Sequence, residues 1–234
     1  AAHEQFGMFG LPFLAFRALS SGVLLSMLNA AISGIVVQNA VQDAVPDRAA
    51  LAVGAIASVA SLIHCTSPVI GSMADRLGNR QPFAAAATGL CAGSIALMLS
   101  TVGDEAGFAG FVAAVLLLQV GTTTLNTMMN AVIADWQSDV LLTRLSGLWS
   151  GFGLIGAVLG YVLAGVVLPL DVLLWVLLAL CVVETIVLMF CPRSIFVTRR
   201  AARANEKISG EVEEAGSSLE PLLLDGGDRG GGGE

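Results

Sequence analysis

Gln119, Thr122, Asn126 and Asn130 recur at three- and four-residue spacing in a stretch otherwise built of Leu, Val, Ala and Met. On a helix, at roughly 100° per residue, these four side chains fall within an arc of about 80°, and Thr123 extends the same face. Amides and hydroxyls donate and accept hydrogen bonds without carrying charge. Such a stripe suits a sugar, a polyol or another hydroxyl-rich molecule, or else it ties one helix to its neighbours. A weaker stripe, Ser26, Asn29 and Ser33, occurs nearer the N-terminus. Two ionisable residues, His64 and Glu184, stand inside other apolar runs.

The elements that carry these residues follow from composition. The chain has 234 residues, 56% hydrophobic and 12% charged, with a mean hydropathy of +0.83. A soluble domain carries about 25% charged residues, so the apolar excess has to face lipid. Helices and closed barrels are the elements that span a bilayer, because lipid offers the backbone no hydrogen bonds. Continuous apolar runs of about 20 residues select helices, where a barrel would show alternation. Six spans are predicted, at residues 18–41, 51–70, 83–101, 108–133, 146–167 and 172–191. The fold class is an all-α membrane protein.

Arginine placement orients the spans. Arg17, Arg76, Arg80, Arg144 and the group Arg193, Arg199, Arg200, Arg203 and Lys207 share one side if the spans alternate. The other side has Arg48 with Asp43, Asp47, Asp104, Glu105 and Asp171. Both termini are therefore expected in the cytoplasm. Residues 1–17 read as a cytoplasmic segment, 18–199 as the transmembrane domain and 200–234 as a Glu-, Ser- and Gly-rich tail too polar to fold alone. Within the tail, Glu220-Pro221-Leu222-Leu223-Leu224 reads either as an acidic dileucine signal or as a chance apolar patch.

An intramembrane carboxylate is a candidate proton carrier, or Glu184 bonds to Thr185 or to a serine across an interface. His64 is a packing residue or a second proton-coupling candidate. The net charge of −7 comes with no basic face for nucleic acid. Cys65, Cys91, Cys181 and Cys191 have no metal-ligand spacing and read as small buried hydrophobes; Cys191, at a membrane edge, is also open to acylation. No metal or cofactor is expected. A membrane hydrolase is disfavoured, because no serine nucleophile motif is matched by a histidine on another span. The chain is expected to be a non-enzyme.

Between spans two and three runs Gly71-Ser72-Met73-Ala74-Asp75-Arg76-Leu77-Gly78-Asn79-Arg80-Gln81, read as a tight polar loop. Gly71 and Gly78 suit unusual dihedrals or close helix approach, and Asp75 needs a cationic partner such as Arg76, Arg80 or Arg144. The spacing Gly-x-x-x-Asp-Arg-x-Gly-x-Arg resembles the loop between the second and third helices of major facilitator superfamily transporters. There the loop braces the cytoplasmic side and helps switch between inward- and outward-open states. Asn79 and Gln81 stand where the family commonly has basic residues.

A second resemblance runs from Asp135, after span four, to Arg144-Leu145-Ser146-Gly147, before span five. Span five continues with Gly151, Gly153, Gly156, Gly160 and Gly165; the pairs Gly147/Gly151 and Gly156/Gly160 each lie on one helix face. They read either as close packing or, by resemblance, as the surface that slides against the other half. The family's Gly-Pro pair is Gly160-Tyr161 here, and Leu116, Leu117 and Leu118 occupy the stretch that holds an arginine in proton-coupled members. In the family, the first helix of each three-helix repeat lines the cavity; these are spans one and four, the two with polar stripes.

The resemblance implies half of a twelve-helix bundle: a secondary active or facilitative transporter working by alternating access, with the tail leading toward a C-terminal six-helix half or with a second copy in its place. Its partners are a small solute and the lipid bilayer. The substrate candidates are Asn29, Gln119, Thr122, Asn126 and Asn130, and the gating candidates are Gly71, Asp75, Arg76, Gly78, Arg80, Asp135 and Arg144. No arginine falls within the spans, which disfavours phosphate and carboxylate cargo. The competing reading is a six-helix scaffold without transport.

Overall fold

The computed structural model describes residues 20–101, 107–135 and 139–190, and these residues are helical throughout apart from short turns. The expected N-terminal segment 1–17, the tail 200–234 and Cys191 lie outside the described residues. So do the side chains of Asp135 and Arg144, although both positions fall on helices.

Six helices are long and apolar enough to cross a membrane: Ser20–Ala44, Pro46–Leu77, Gln81–Thr101, Phe108–Ala134, Ser146–Gly165 and Leu170–Met189. Each overlaps one of the six expected spans. Span one is not a uniform α-helix. It passes through a π-helical segment, Asn29–Val36, before resuming as α-helix over Val37–Ala44.

Span two differs most from the expectation. It runs to Leu77, so Gly71, Asp75 and Arg76 lie on a helix and the turn to span three is only Gly78-Asn79-Arg80. At 1.5 Å rise per residue its 32 residues reach about 48 Å, well beyond the roughly 30 Å hydrocarbon core. The polar sequence thus marks a helix leaving the lipid, where polarity and helix are compatible. Span two is also broken. One helix ends at His64, Cys65 and Thr66 form a turn, and a second begins at Ser67. Pro68 explains the break: it has no N–H for the His64 carbonyl, and its ring crowds that carbonyl. Nearby, the Thr66 N–H and hydroxyl both donate to the Ile63 carbonyl, at 2.9 and 2.7 Å.

Spans one, three, four and six form the packed body. Leu28, Ile32, Ile95, Met98, Leu118 and Leu174 are fully buried in one cluster. A smaller cluster joins Leu25, Ala84, Leu125, Met128 and Leu188 with Ala74 from the end of span two. Between helices in lipid the attraction is close van der Waals packing rather than escape from water, so small residues decide which faces meet. On span five, Gly156 and Gly160 do this. A Cβ on Gly160 would lie 2.5 Å from the Met27 carbonyl oxygen, and one on Gly156 would collide with the Val23 backbone. The other expected pair does not pack: Gly147 and Gly151 have open space around them, since they lie roughly opposite on the helix. Spans two and five form the outlying walls. No residue of Ala49–His64 is buried, and Leu154, Val158 and Leu159 of span five are exposed.

Cys91 and Cys181 are buried as expected. Cys65 is not: it is exposed, directly after a helix, Ala49–His64, that buries none of its residues.

Candidate functional site

The stripe on span four meets spans one and two. Gln119 Nε2 donates to Ser33 Oγ at 2.8 Å, and Thr123 Oγ1 lies 2.9 Å from His64 Nδ1. One turn farther, Asn130 Nδ2 donates to Asn126 Oδ1 at 3.2 Å. Gln119, Thr122 and Thr123 are buried; Asn126 is half-buried and Asn130 exposed. The stripe's own side chains therefore pass from buried at Gln119 to exposed at Asn130, while their partners on the neighbouring spans, Ser33 and His64, are exposed. Thr122 turns back to its own helix, donating to the Gln119 carbonyl at 3.2 Å. Asn29 is half-buried in the π-helical segment with Ser33 and takes part in none of these side-chain hydrogen bonds.

Two backbone irregularities coincide with these bonds. The π-helical segment of span one carries Asn29 and Ser33. The break in span two follows directly on His64. π-Helical turns and broken membrane helices leave backbone groups or side chains in positions a straight α-helix cannot offer, and both occur often at functional sites. With the helix continuing to Leu77, His64 lies near the middle of span two rather than near one end.

The turn between spans two and three is tied at several points. Gly78 closes the helix in the left-handed conformation, with φ 71°, where a side chain would be strained. Its N–H donates to the Asp75 carbonyl at 3.3 Å. Arg80, 5% exposed, donates from Nη2 and Nε to Asp75 Oδ1 at 2.7 and 3.2 Å. This selects Arg80 from the expected partners of Asp75. Arg76 is exposed in the last helical turn, where a cation favours the helix dipole. Gly71 faces span four, and a Cβ there would sit 3.6 Å from the Thr127 methyl. Asn79 and Gln81, which depart from the family pattern, are both used. Asn79 Oδ1 accepts from the Gln81 N–H at 3.0 Å. Gln81 Nε2 donates to the Leu188 and Met189 carbonyls at 2.9 and 3.3 Å, satisfying carbonyls that the end of span six leaves over. The turn thus fastens spans two, three and six at one end of the bundle.

Glu184 lies apart from the stripe. It is buried and accepts a short hydrogen bond from Ser21 of span one, a serine across the interface as the sequence allows. Sequence reasoning missed the break in span two, although Pro68 signalled it, and the capping by Gln81, for which there was no local signal. Among the described residues no group of His, Cys, Asp and Glu side chains is arranged to hold a metal.

The profile of the Major Facilitator Superfamily matches residues 19–224. Among solved structures, the human organic anion transporter MFSD10 (TETRAN) superposes with a TM-score of 0.58 at 18% sequence identity, over 77% of this chain and 46% of that one. At that identity the likeness concerns the fold, and this chain spans about half of MFSD10's length. No curated protein sequence matches the chain. The six apolar helices make it an integral, multi-pass membrane protein, and the family match over most of its length places it, as a member, in the Major Facilitator Superfamily of transporters.

Proposed function

We propose that the chain is one six-span half of a carrier that moves a small, neutral, hydroxyl-rich solute by alternating access, as a secondary active or facilitative transporter. The solute is held along Gln119, Thr122, Asn126 and Asn130, with Asn29 facing it from span one. One observation carries this reading. The π-helical segment of span one and the break of span two both fall where Ser33–Gln119 and His64–Thr123 bonds cross between helices. A broken helix in lipid leaves backbone carbonyls that need water or protein. The exposed turn at Cys65 and Thr66 therefore favours a wet cavity against span two. His64 is the proton-coupling candidate at this place.

The half-carrier reading is supported by the 46% coverage of MFSD10; a second copy of the chain is the alternative partner. Domain limits of 1–17, 18–199 and 200–234, with both termini in the cytoplasm, complete the proposal. Asp75, Arg76, Gly78 and Arg80 form the brace that biases the switch, with Asp135 and Arg144 assigned to the same end by family resemblance. MFSD10 is described as an organic anion transporter. The described stripe here offers amides, hydroxyls and one imidazole, which favours a neutral cargo.

Uptake into proteoliposomes tests the reading, using radiolabelled polyols and hexoses beside an aromatic carboxylate. Saturable polyol or hexose uptake that Asn126→Leu reduces is the expected result. Uptake of the carboxylate alone transfers the anion class to this chain, and flat uptake of every solute by correctly inserted protein favours the scaffold.

A further inference from the structure

A cavity of about 600 Å³ lies between spans one, five and six. Val23 and Met27 of span one, Phe152 of span five, and Leu180 and Val183 of span six give it apolar walls. Among the described residues Glu184 is the acidic one lining it, Ser20 adds a hydroxyl, and none of the stripe residues reaches it. The volume falls within the range of about 300–1,000 Å³ typical of sites for drug-sized ligands. Leu180 and Val183, 39% and 56% exposed, line its span-six side, and exposed apolar side chains on a membrane-spanning helix suit contact with lipid.

A carboxylate among apolar walls demands a proton, a cation or several hydrogen-bond donors. Ser21 supplies one donor. Among the described residues Glu184 has no ion-pair partner, since the one salt bridge there joins Arg80 to Asp75. A fatty acid would bring a second carboxylate to the same place. A neutral sterol or acyl chain would leave the carboxylate unsatisfied. A lipophilic amine answers both demands: its apolar body fills the cavity, and its ammonium N–H donates to Glu184 in a charge-assisted bond.

We propose that this side cavity is a binding site for lipophilic amines that enter from the bilayer, with Glu184 as the counter-charge and Ser21 holding the carboxylate in position. The proposal stands independently of the transport reading, since it uses a different cavity.

The test is equilibrium binding of radiolabelled imipramine, a tricyclic tertiary amine, to the protein in phosphatidylcholine nanodiscs, with empty nanodiscs as background. Iminodibenzyl, the same ring system without the amine chain, serves as competitor. Saturable imipramine binding is expected, with iminodibenzyl at least about tenfold weaker, a loss typical of one charge-assisted hydrogen bond. Glu184→Gln keeps an acceptor for Ser21 and should weaken binding by a similar factor. Val183→Trp fills the cavity without touching the carboxylate and should abolish binding; it tests the site even if Glu184→Gln folds poorly. Asn126→Leu should leave binding unchanged. Equal competition by iminodibenzyl, wild-type affinity in Glu184→Gln or Val183→Trp, or loss of binding in Asn126→Leu would each overturn the proposal.

Discussion

The stripe on span four and the cavity at Glu184 are both polar intrusions into an apolar bundle, and they solve the cost of polarity differently. Along the stripe, an amide and a hydroxyl reach partners across helices, Gln119 to Ser33 and Thr123 to the His64 imidazole. The backbone there is irregular, and the series ends in exposed Asn130. At the cavity, among the described residues, one carboxylate accepts from one serine, Ser21, the walls are apolar apart from Ser20, and span six is a continuous α-helix. Several neutral hydrogen-bonding groups in a row suit a solute with several hydroxyls arriving from water. One charge-bearing group in hydrocarbon suits a one-headed amphiphile arriving from lipid. Span one serves both, with Ser33 at the stripe and Ser21 at the carboxylate.

The substitution with the largest expected effect breaks both regions together. Gly156→Leu drives a side chain into the Val23 backbone, and overpacking against backbone costs about 1–3 kcal/mol or more. The yield of folded protein should fall at least about tenfold, read by size-exclusion chromatography. Gly151→Leu, with open space around it, should behave as wild type.

Asn126→Leu separates the regions. Uptake through the stripe should fall about tenfold, the equivalent of losing roughly one buried hydrogen bond to the solute, while membrane insertion and amine binding persist. Gln119→Leu is expected to act more mildly. It removes the bond to Ser33, and uptake should fall about threefold, within the range of one neutral hydrogen bond. Unchanged kinetics in both variants would detach the stripe from the solute path.

The smallest effect belongs to the turn between spans two and three. In Asp75→Asn, Arg80 loses its carboxylate, and the brace between spans two and three loosens. Turnover should fall about twofold with KM unchanged, the value of a partly exposed ion pair, as measured by initial uptake rates over a solute series. A shift in KM without a change in turnover would place Asp75 in binding instead.

The sequence made the six spans legible because lipid imposes length and polarity rules on every helix. The stripe was legible from helical periodicity alone. Gly78 was legible because a tight connection calls for a residue that tolerates unusual dihedrals, and it takes φ 71°. Gly71 was misassigned to the loop because polarity was taken to end a helix, whereas span two continues past the hydrocarbon as helix. Spacing puts Gly147/Gly151 and Gly156/Gly160 on opposite faces of span five, but which face packs was not legible, since that depends on which neighbour stands opposite. Glu184 was visible as a carboxylate in an apolar run. Its cavity was not, because three separate spans build it and no local pattern encodes their meeting.

The central claim is that the stripe faces water and the solute. Asn126→Cys, introduced with the native cysteines replaced by alanine, tests it through reaction with a membrane-impermeant methanethiosulfonate, beside Val158→Cys, an exposed position in the apolar run of span five, as the control outside the stripe. The account predicts rapid modification at position 126, inhibition of uptake by that modification, protection by transported solute, and little reaction at position 158. Equal inertness at both positions with uptake intact would contradict it.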